Sequence, residues 1–409
     1  MLLLIKLNVE KTQRMKILEI VSRNPSENPG GVESVADTIR RKLMGKVELH
    51  FTFMEKDVYE SNSVRTRRDQ TFRIPFKDVP ICRPLNKSIF NIWVLFYALK
   101  HRKEYDLIHI NGDAGGLVSF IKSVPTVLTL HGNSLSSFLH VRREYSVAKR
   151  ILLLMVHLEA FILESLAVRN TTYATAVSDA VKDSFKGQRK GKPFYVIYNG
   201  VDIDTFKPWG DKESICRSFG LNPRRIYAIW VGNDPIRKGL YTAVESVSRT
   251  DHVDLIVVGA KRNPHLESER VHFIENVSSV SLVSLYQMSD ILIFPTLYEG
   301  FSVTVLEALS CSCVPIVYRQ ISSSEILDDK VDSYLVESPE DFYLILRMLE
   351  KNPETLARAR LAARQKAERF SADSMANAYE DIFLKSIESH NREHSRDRRP
   401  RLKSLNGRF

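Results

Sequence analysis

Short, apolar, β-branched runs alternate with longer helical patterns along almost the whole chain. Nine of these runs are predicted to be strands, at residues 15–22, 105–110, 125–132, 171–178, 226–232, 254–259, 271–274, 290–295 and 314–318. Strands that are apolar on both faces and separated by helices are typical of parallel sheets covered by helices on both sides. The pattern therefore predicts an α/β protein.

The strands fall into two groups, and the chain is long enough for two domains. Its 409 residues exceed the usual size of one domain, and the stretch 190–222, which contains Pro and Gly, lies between the groups. We predict two doubly wound, Rossmann-like domains, at 15–189 and 190–371, which face each other across a cleft. Residues 1–14 precede the first strand and are predicted to be an N-terminal extension. In sheets of this kind ligands bind beyond the carboxyl ends of the strands.

The chain carries a positive net charge of +10, with 59 Lys and Arg against 49 Asp and Glu. This excess suggests an anionic partner: nucleic acid, a membrane surface or a phosphorylated substrate. Half of it lies in the last nineteen residues, with seven Lys and Arg against two acids, and 390–409 is predicted to be a disordered basic tail. No helix-turn-helix, zinc-finger or aromatic RNA-binding pattern accompanies the charge. A nucleic-acid-binding protein is therefore only an alternative, and no nucleic acid is expected as a partner.

Two apolar segments and the cysteines bear on where the protein works. The N-terminal "MLLLI" is too short for a signal peptide or a membrane span. The long apolar stretch 151–168 contains His157, Glu159 and Glu164, which disfavour a bilayer crossing. The four cysteines are too few and too scattered for a disulfide framework. We therefore expect a cytoplasmic protein.

Loops that follow predicted strands hold residues suited to an anionic ligand. Gly30 and Gly31 precede a helical pattern and would let backbone amides approach a phosphate, although loop glycines are more often simple turns. Arg237 and Lys238 lie just ahead of a helix, whose dipole disfavours cations there, so an anion is expected beside them. A solvated surface pair is the alternative. His131 ends a strand at the same cleft, where a histidine is more often structural than catalytic.

Glu299 and Glu307 are eight positions apart, behind a predicted strand. Gly300 interrupts the chain, and Ser302 is a plausible N-cap for a helix that ends near Ser310. Eight helical residues rise about 12 Å, which exceeds the ~5–9.5 Å of glycosidase carboxylate pairs. Carboxylates accept hydrogen bonds from vicinal hydroxyls, and the amides of the helix start suit a diphosphate. This order of groups describes a nucleotide sugar, although the spacing alone would favour two unrelated glutamates.

Two tracts combine aromatic, apolar and basic residues. The tract 88–103 is apolar almost all round and then strongly basic, and a helix of this kind is most often buried. The alternative is an interfacial helix with Trp93, Phe96 and Tyr97 at a lipid boundary and its basic end on phosphate headgroups. The tract 138–155 repeats the mixture. An anionic membrane surface therefore stays open as a partner.

Six motifs follow one another between residues 28 and 383: "NPGGVES", "LTLHGN", "AVSDAVKDSF", "IYNGVDIDTFKP", "EGFSVTVLE" and "FSADSMANAYEDIF". Their combination and order resemble those of the retaining glycosyltransferases of family 4, which have the GT-B fold. The combination is specific although each motif alone is not. The resemblance implies that 372–389 is a helix that crosses back to the first domain.

The resemblance also implies how a donor would bind. Glu307 would hold the ribose hydroxyls, and Glu299 the hydroxyls of the transferred sugar. The backbone around Phe301, Ser302 and Val303 would meet the diphosphate.

Other residues would act on the diphosphate and the sugar, according to the same resemblance. Arg237 and Lys238 would neutralise the diphosphate and stabilise its departure, which is the work of a divalent ion in other enzymes. Gly31 would approach the phosphate from the other domain, and His131 would face the sugar near its reacting carbon. Neither a metal nor another cofactor is expected.

Three departures from the family pattern leave the donor base and sugar open. Asn233 follows Gly232 where many members have Arg, and the adjacent Arg237-Lys238 pair resembles that of lipopolysaccharide-core glucosyltransferases. "QISSSEIL" (320–327) replaces the common Gly-Gly-x-Pro-Glu, and Ser312 replaces a common Gly.

The sequence therefore predicts a retaining, metal-independent transfer of a hexose from a nucleotide diphosphate sugar. The acceptor would be a glycan or a lipid-linked glycan, and the enzyme would be cytoplasmic, with peripheral attachment to the membrane left open. A GT-B nucleotide-sugar epimerase is the alternative within the enzymes. It would need further acid and base residues around the sugar, and no convincing set of them is evident.

Overall fold

The computed structural model describes residues 14–25, 30–55, 70–73, 83–208 and 211–397. The first half forms a parallel sheet of seven strands in the order β3-β2-β1-β4-β5-β6-β7. Its strands are β1 (Met15–Ile20), β2 (Val47–Glu55), β3 (Gln70–Arg73), β4 (Leu107–Asn111), β5 (Thr126–Leu130), β6 (Tyr173–Ala176) and β7 (Phe194–Val196). The helices of this half are α1 (Gly31–Lys42), α2 (Arg83–His101), α3 (Ser134–Val141), α4 (Val147–Asn170) and α5 (Asp179–Phe185).

The second half forms a parallel sheet of six strands in the order β10-β9-β8-β11-β12-β13. Its strands are β8 (Ile226–Val231), β9 (Val253–Val258), β10 (Val271–Ile274), β11 (Ile291–Phe294), β12 (Val314–Tyr318) and β13 (Tyr334–Val336). Its helices are α6 (Lys212–Ser218), α7 (Leu240–Ser248), α8 (Ser279–Met288), α9 (Val303–Ser310), α10 (Pro339–Lys351) and α11 (Pro353–Glu368), and α12 (Ala372–Asp397) follows. The α/β prediction is confirmed.

All nine predicted strands are present, and four further strands were not predicted. Three of the four, β3, β7 and β13, are edge strands, and β2 lies next to an edge. β3 and β13 are only four and three residues long, and β2 alternates apolar with polar residues, so none of the three shows the unbroken apolar run of a central parallel strand. β7 does lie in such a run, 194–198, but this run falls in the stretch 190–222 that is interpreted as the link between the two groups of strands. Because β7 belongs to the first sheet, that sheet ends at Val196 rather than before the predicted boundary at residue 190.

The strand order places one crevice in each sheet. The order reverses between β1 and β4 in the first sheet and between β8 and β11 in the second. At such a switch point the loops after neighbouring strands diverge, and ligands bind there beyond the carboxyl ends. The loops after β8 and β11 carry the predicted cation pair and Glu299.

The last helix packs on the first sheet, as expected. Met375, Tyr379 and Phe383 of α12 are buried in one cluster with Ile17 of β1. The helix runs to Asp397, so the prediction of disorder from residue 390 is wrong for its first eight residues. No Pro or Gly lies between the start of α12 at Ala372 and Pro400, so nothing in this stretch breaks the helix before Asp397. The rest of the predicted tail, 398–409, and the extension 1–13 lie outside the described residues.

The tract 88–103 is neither fully buried nor fully interfacial. Phe90, Val94 and Ala98 of α2 are buried in the core, whereas Ile92 and Phe96 are exposed. The core interpretation therefore holds for one face of α2 only.

Candidate active site

The loop after β5 and the loop after β11 touch in the cleft between the two sheets. An added Cβ at Gly300, after β11, would lie 1.9 Å from the backbone oxygen of His131, so only glycine allows this approach. The Asn133 amide donates to the Tyr298 hydroxyl at 2.7 Å across the same contact. A cavity of about 170 Å³ adjoins it and is lined from both halves, among others by Asn133, His140, Val181, Tyr298, Glu299 and Ile321. The structure therefore brings Glu299 and His131 to one cleft.

Glu299 is the anion that faces both members of the predicted cation pair, and Asp234 Oδ2 lies 3.5 Å from Arg237 Nε. Glu299 Oε1 lies 3.0 Å from Arg237 Nη1 and 3.9 Å from Lys238 Nζ, and Arg237 Nη1 also donates to the Tyr298 carbonyl at 2.9 Å. Burial alone would lower the pKa of Arg237, but the charge of Glu299 outweighs it and the pKa is raised. Burial lowers the pKa of Lys238, and Glu299 offsets only part of the effect. The expectation of an anion near these cations is thus met within the chain itself.

Two glycines allow Lys238 to lie close to the strand ends. An added Cβ at Gly232 would lie 2.3 Å from Lys238 Cδ, and one at Gly239 would lie 2.1 Å from the Pro295 carbonyl oxygen. Gly239 also has a φ of +68°, which disfavours other residues. The loop after β8 can therefore pack directly against the end of β11, which places the lysine ammonium near Glu299.

Glu307 lies in the second turn of α9, as predicted, and is partly buried. The Tyr286 hydroxyl donates to its Oε2 at 3.0 Å. Burial raises the pKa of Glu307 to about 7, although the Tyr286 hydrogen bond and the charge of Lys238 oppose the rise. Lys238 interacts electrostatically with both Glu299 and Glu307, so one cation is near both predicted carboxylates.

The start of α9 differs in detail from the prediction. Ser302 is the N-cap residue, but its side chain makes no capping hydrogen bond. Its backbone amide, predicted to meet a diphosphate, donates instead to Ser323 Oγ at 2.7 Å. Phe301 is buried, and its carbonyl accepts from Asn199 Nδ2 at 3.2 Å. A ligand would thus compete with Ser323 for the Ser302 amide, while Val303 begins the helix.

His131 is held by a buried polar network. Its Nε2 lies 2.9 Å from Asn111 Oδ1, and Asn111 Nδ2 donates to Glu19 Oε1 at 2.7 Å. Burial, and secondarily the charge of His109, lowers the pKa of His131 to about 3. The ring is therefore neutral at pH 7, with Nε2–H donating to Asn111 and Nδ1 left as an acceptor.

The sequence analysis missed this network. Glu19 and His109 are fully buried, and Glu19 Oε2 lies 2.8 Å from His109 Nδ1. The sequence did contain a signal for it: Glu19 and His109 each interrupt a mostly apolar strand, "MKILEI" and "LIHIN". Because the strands are parallel neighbours, these residues meet although they are ninety positions apart.

Gly30 and Gly31 lie at the start of α1. An added Cβ at Gly30 would lie 2.7 Å from Glu33 Oε2, whereas one at Gly31 would meet nothing within 4 Å. Burial raises the pKa of Glu33, against hydrogen bonds from backbone amides of this loop. The open approach to the helix start is therefore at Gly31; residues 26–29 lie outside the described part of the chain.

An Asp-x-Asp sequence occurs at Asp202 and Asp204, between the two halves. Asp202 Oδ1 accepts from the amides of Asp204 and Thr205 at 3.3 Å each, and Asp202 Oδ2 lies 4.0 Å from Lys42 Nζ. Asp202 thus takes part in local contacts with the turn and with α1. Within the described ranges, no three or more His, Cys, Asp or Glu side chains group as a set that could hold a metal ion.

Comparison with known proteins finds matches to both halves of the chain. The family described as "Glycosyltransferase Family 4" matches residues 29–205, and the one described as "Glycosyl transferases group 1" matches residues 211–366. A D-inositol 3-phosphate glycosyltransferase of Mycobacterium sp. (strain KMS) is 28% identical over 182 residues, which are 40% of this chain and only 41% of that protein. The putative teichuronic acid biosynthesis glycosyltransferase TuaC of Bacillus subtilis (strain 168) is 25% identical over 350 residues, which are 79% of this chain and 85% of the relative.

A solved structure shares the architecture. Anabaena Alr3699/HepE, in complex with UDP-glucose, aligns with a TM-score of 0.69 at 19% identity, over 92% of this chain and 100% of that one. At this identity the likeness shows the fold alone.

Proposed function

The chain belongs to glycosyltransferase family 4 and has the GT-B fold, and we propose that it is a retaining enzyme which transfers a hexose. The donor is a nucleotide diphosphate sugar such as a UDP- or GDP-hexose. The acceptor is a glycan or a lipid-linked glycan. The reaction needs neither a metal ion nor another cofactor.

The single observation that carries this proposal is the contact of Glu299 with Arg237 and Lys238 opposite His131. Glu299 pairs with both cations, and Asp234 lies 3.5 Å from Arg237 Nε. A bound diphosphate carries more negative charge than one carboxylate, so it takes over the cations and releases Glu299 to accept hydrogen bonds from sugar hydroxyls. The same exchange supplies positive charge where the leaving diphosphate develops negative charge.

Glu307 holds the ribose in this proposal. Tyr286 orients the carboxylate through one oxygen, and a carboxylate oxygen has further capacity to accept from the vicinal hydroxyls of a ribose. Glu299 and Glu307 thus bind the two ends of the donor, and the start of α9 lies between them.

Retention follows if departure and attack occur on the same face of the sugar. The bond from the anomeric carbon to the diphosphate oxygen breaks, and the acceptor hydroxyl forms the new bond from that face. The acceptor proton passes to a phosphate oxygen. His131 is neutral and offers Nδ1 as an acceptor, so its role is to position a sugar hydroxyl rather than to donate a proton.

The acceptor and the site of action follow from relatives and charge. The name of the B. subtilis relative refers to teichuronic acid biosynthesis, which supports polysaccharide or glycolipid synthesis here. The basic residues of 398–409, five Arg and Lys without an acid, suit an anionic leaflet. The enzyme then works at the cytoplasmic face of the membrane, held loosely by this segment.

A donor screen tests the proposal. Thermal unfolding with UDP-, GDP-, ADP- and dTDP-sugars identifies the donor, because a ligand at a hundred times its dissociation constant adds about 2.7 kcal/mol to the free energy of unfolding. The matching nucleosides serve as controls. Transfer is then followed by NMR, in EDTA and in Mg²⁺, and the anomeric configuration of the product should equal that of the donor.

Three outcomes would contradict the proposal. An inverted product excludes retention, and loss of transfer in EDTA excludes the metal-independent reaction. Conversion of the donor sugar into its epimer without any acceptor would identify the epimerase instead.

A further inference from the structure

The outward face of α4 is apolar. Six of its side chains are between 40% and 69% exposed: Val147, Ile151, Leu154, Met155, Leu158 and Ile162. At about 100° per residue these positions fall within one stripe about 100° wide along the helix. A surface helix normally presents polar residues to water on that side. A contiguous apolar stripe of this kind marks an interaction surface.

The opposite face of α4 already anchors the helix to the first half of the chain. Ala160, Leu163 and Ala167 are buried there, and Glu164 accepts from the Ser134 amide and hydroxyl at 3.1 and 2.6 Å. By length and composition α4 could cross a membrane, with a mean hydropathy of 2.1, but only a third of its apolar window is buried. Since its inner face is engaged in the fold, the outer stripe is available for contact along the helix rather than for a crossing.

Helix α2 enlarges the apolar surface. Ile92 and Phe96 are 48% and 66% exposed. A groove of about 510 Å³ lies between the two helices and is lined mainly by apolar side chains, including Ile92, Leu117, Met155, Leu158, Ile162 and Leu166. The surface is thus continuous from α2 to α4.

Basic residues flank this surface. Residues 142–150 contain Arg142, Arg143, Lys149 and Arg150 against the single acid Glu144, a net charge of +3 at the start of the stripe. Arg143 is exposed just before the helix. At about 100° per residue Arg150 lies about 40° from the edge of the stripe, whereas Lys149 lies on the opposite side of the helix, in phase with Ala167. An apolar stripe with cations at its edge matches an anionic lipid surface, in which hydrocarbon lies below phosphate. A second copy of this chain would bring the same cations together, which is unfavourable.

We propose that the outward face of α4, together with Ile92 and Phe96 of α2, is a docking surface for an anionic phospholipid membrane. The stripe enters the headgroup–acyl boundary while Arg143 and Arg150 meet phosphates. Docking turns the first half of the chain, which contributes His131 to the cleft, toward the lipid. The proposal adds a defined surface to the membrane attachment proposed above, but it does not depend on which donor or acceptor the enzyme uses.

Flotation of the full-length protein with vesicles tests the surface. Vesicles of phosphatidylcholine alone are compared with vesicles that also contain phosphatidylglycerol, at about 0.1 M salt, where the Debye length is about 10 Å. The pair of substitutions Ile151→Ser and Leu158→Ser should weaken partitioning at least about tenfold, since each removes an aliphatic side chain from the boundary. The matched control, Val280→Ser with Leu361→Ser, alters apolar residues of the second half that are more exposed than the test pair and should leave partitioning unchanged.

A charge variant tests the polar edge separately. Arg143→Glu should weaken binding to anionic vesicles about fivefold or more at low salt and have little effect at high salt. Lys351→Glu, at an exposed lysine that ends α10 in the second half of the chain, is its control. The donor-induced shift in unfolding temperature should be the same in all variants, which shows that they fold and separates this proposal from the enzymatic one.

Several results would overturn the docking surface. One is a failure of the wild-type protein to bind anionic vesicles. Another is wild-type binding by the Ile151→Ser, Leu158→Ser variant. Binding that depends only on 398–409, in a chain ending at Asp397, would assign attachment to the tail alone. A fall in oligomeric mass caused by the α4 substitutions in the absence of lipid would identify a second copy of the chain as the occupant.

Discussion

Donor binding should depend on pH through Glu307. Burial raises the pKa of this carboxyl to about 7. The ionised form accepts hydrogen bonds from both ribose hydroxyls, whereas the protonated form loses one acceptor site. Affinity for the nucleotide sugar should therefore fall as the pH falls through 7.

The size of the effect follows from the fraction of ionised carboxyl. With a pKa of about 7, roughly ten elevenths of Glu307 is ionised at pH 8 and roughly one eleventh at pH 6. If only the ionised form binds, the apparent dissociation constant rises about tenfold, or about 1.4 kcal/mol, because it scales with the inverse of the competent fraction. A nucleotide sugar is the right probe, since its diphosphate is esterified at both ends and does not titrate in this range.

Two substitutions assign the pH dependence to this carboxyl. Glu307→Gln should bind the donor weakly and equally at pH 6 and pH 8. Tyr286→Phe removes the hydrogen bond that favours the ionised carboxylate, so the pKa should rise further and the midpoint of binding should move to higher pH.

The stability of the ligand-free protein provides a second measurement of the same pKa. Between 4.5, the ordinary value, and about 7 the folded state holds a proton that the unfolded state has lost, so the raised pKa costs stability as the pH rises through this window. Glu307→Gln should then raise the free energy of unfolding at pH 8, by at most about 3.4 kcal/mol. The gain should vanish below about pH 4.5, where both states are protonated.

Isothermal titration calorimetry at half-unit steps from pH 6 to 8, together with urea unfolding at both ends, measures these quantities. Affinity of the wild type that does not change with pH would refute the reasoning, and so would a pH dependence that survives in Glu307→Gln. A lower stability of Glu307→Gln at pH 8 would show that the carboxylate is not strained by burial.

Three further predictions concern the donor site and the end of α9. Glu299→Gln should leave the binding of free nucleoside diphosphate unchanged or make it tighter, because the substitution removes an anion that competes for Arg237. Turnover should fall. Calorimetry measures the binding and initial rates measure the turnover, and weaker diphosphate binding would contradict the division of roles between Glu299 and Glu307. Lys238→Ala and Arg237→Ala should each weaken the diphosphate by about 1.5–3 kcal/mol but hardly affect the nucleoside. The double variant should be non-additive if both cations meet one phosphate, and equal losses for nucleoside and diphosphate would contradict the assignment. Ser312 has a φ of +61°, so Ser312→Gly should raise the free energy of unfolding by about 1 kcal/mol, whereas Ser248→Gly at the end of α7 should lower it or leave it unchanged in urea titration.

Hydrophobic patterning was enough to predict most of the architecture. The central strands of both sheets are buried on both faces, so their residues are apolar in unbroken runs and can be recognised locally. The edge strand β7 at Phe194–Val196 also lies in an apolar run, but that run falls in the stretch 190–222 interpreted as the link between the domains, and the strand was not predicted. Disorder was predicted from residue 390 because the segment is basic and poor in apolar residues. This composition does not exclude a helix, and α12 continues to Asp397 because no Pro or Gly interrupts it.

The candidate residues were also predicted from sequence, but their present partners were not. Glu299 and Arg237 are 62 positions apart, and only the tertiary structure shows that they form an ion pair. In the same way, the Ser302 amide donates to Ser323, which lies in the segment where the chain departs from the family pattern. The hydrogen-bond and ion-pair partners of these residues depend on which strand ends are neighbours in the sheet. No local sequence pattern predicts this strand order.

The sequence by itself determined the α/β class, the two groups of strands, the spacing of Glu299 and Glu307 and the positions of the cations, because burial and turn chemistry act on neighbouring residues. Only the tertiary structure decided the neutral state of His131, the raised pKa of Glu307 and the exposure of the apolar stripe on α4. Protonation depends on desolvation and on charges contributed by distant segments. An apolar helix, likewise, becomes an interaction surface only when the fold covers one of its faces and leaves the other in water.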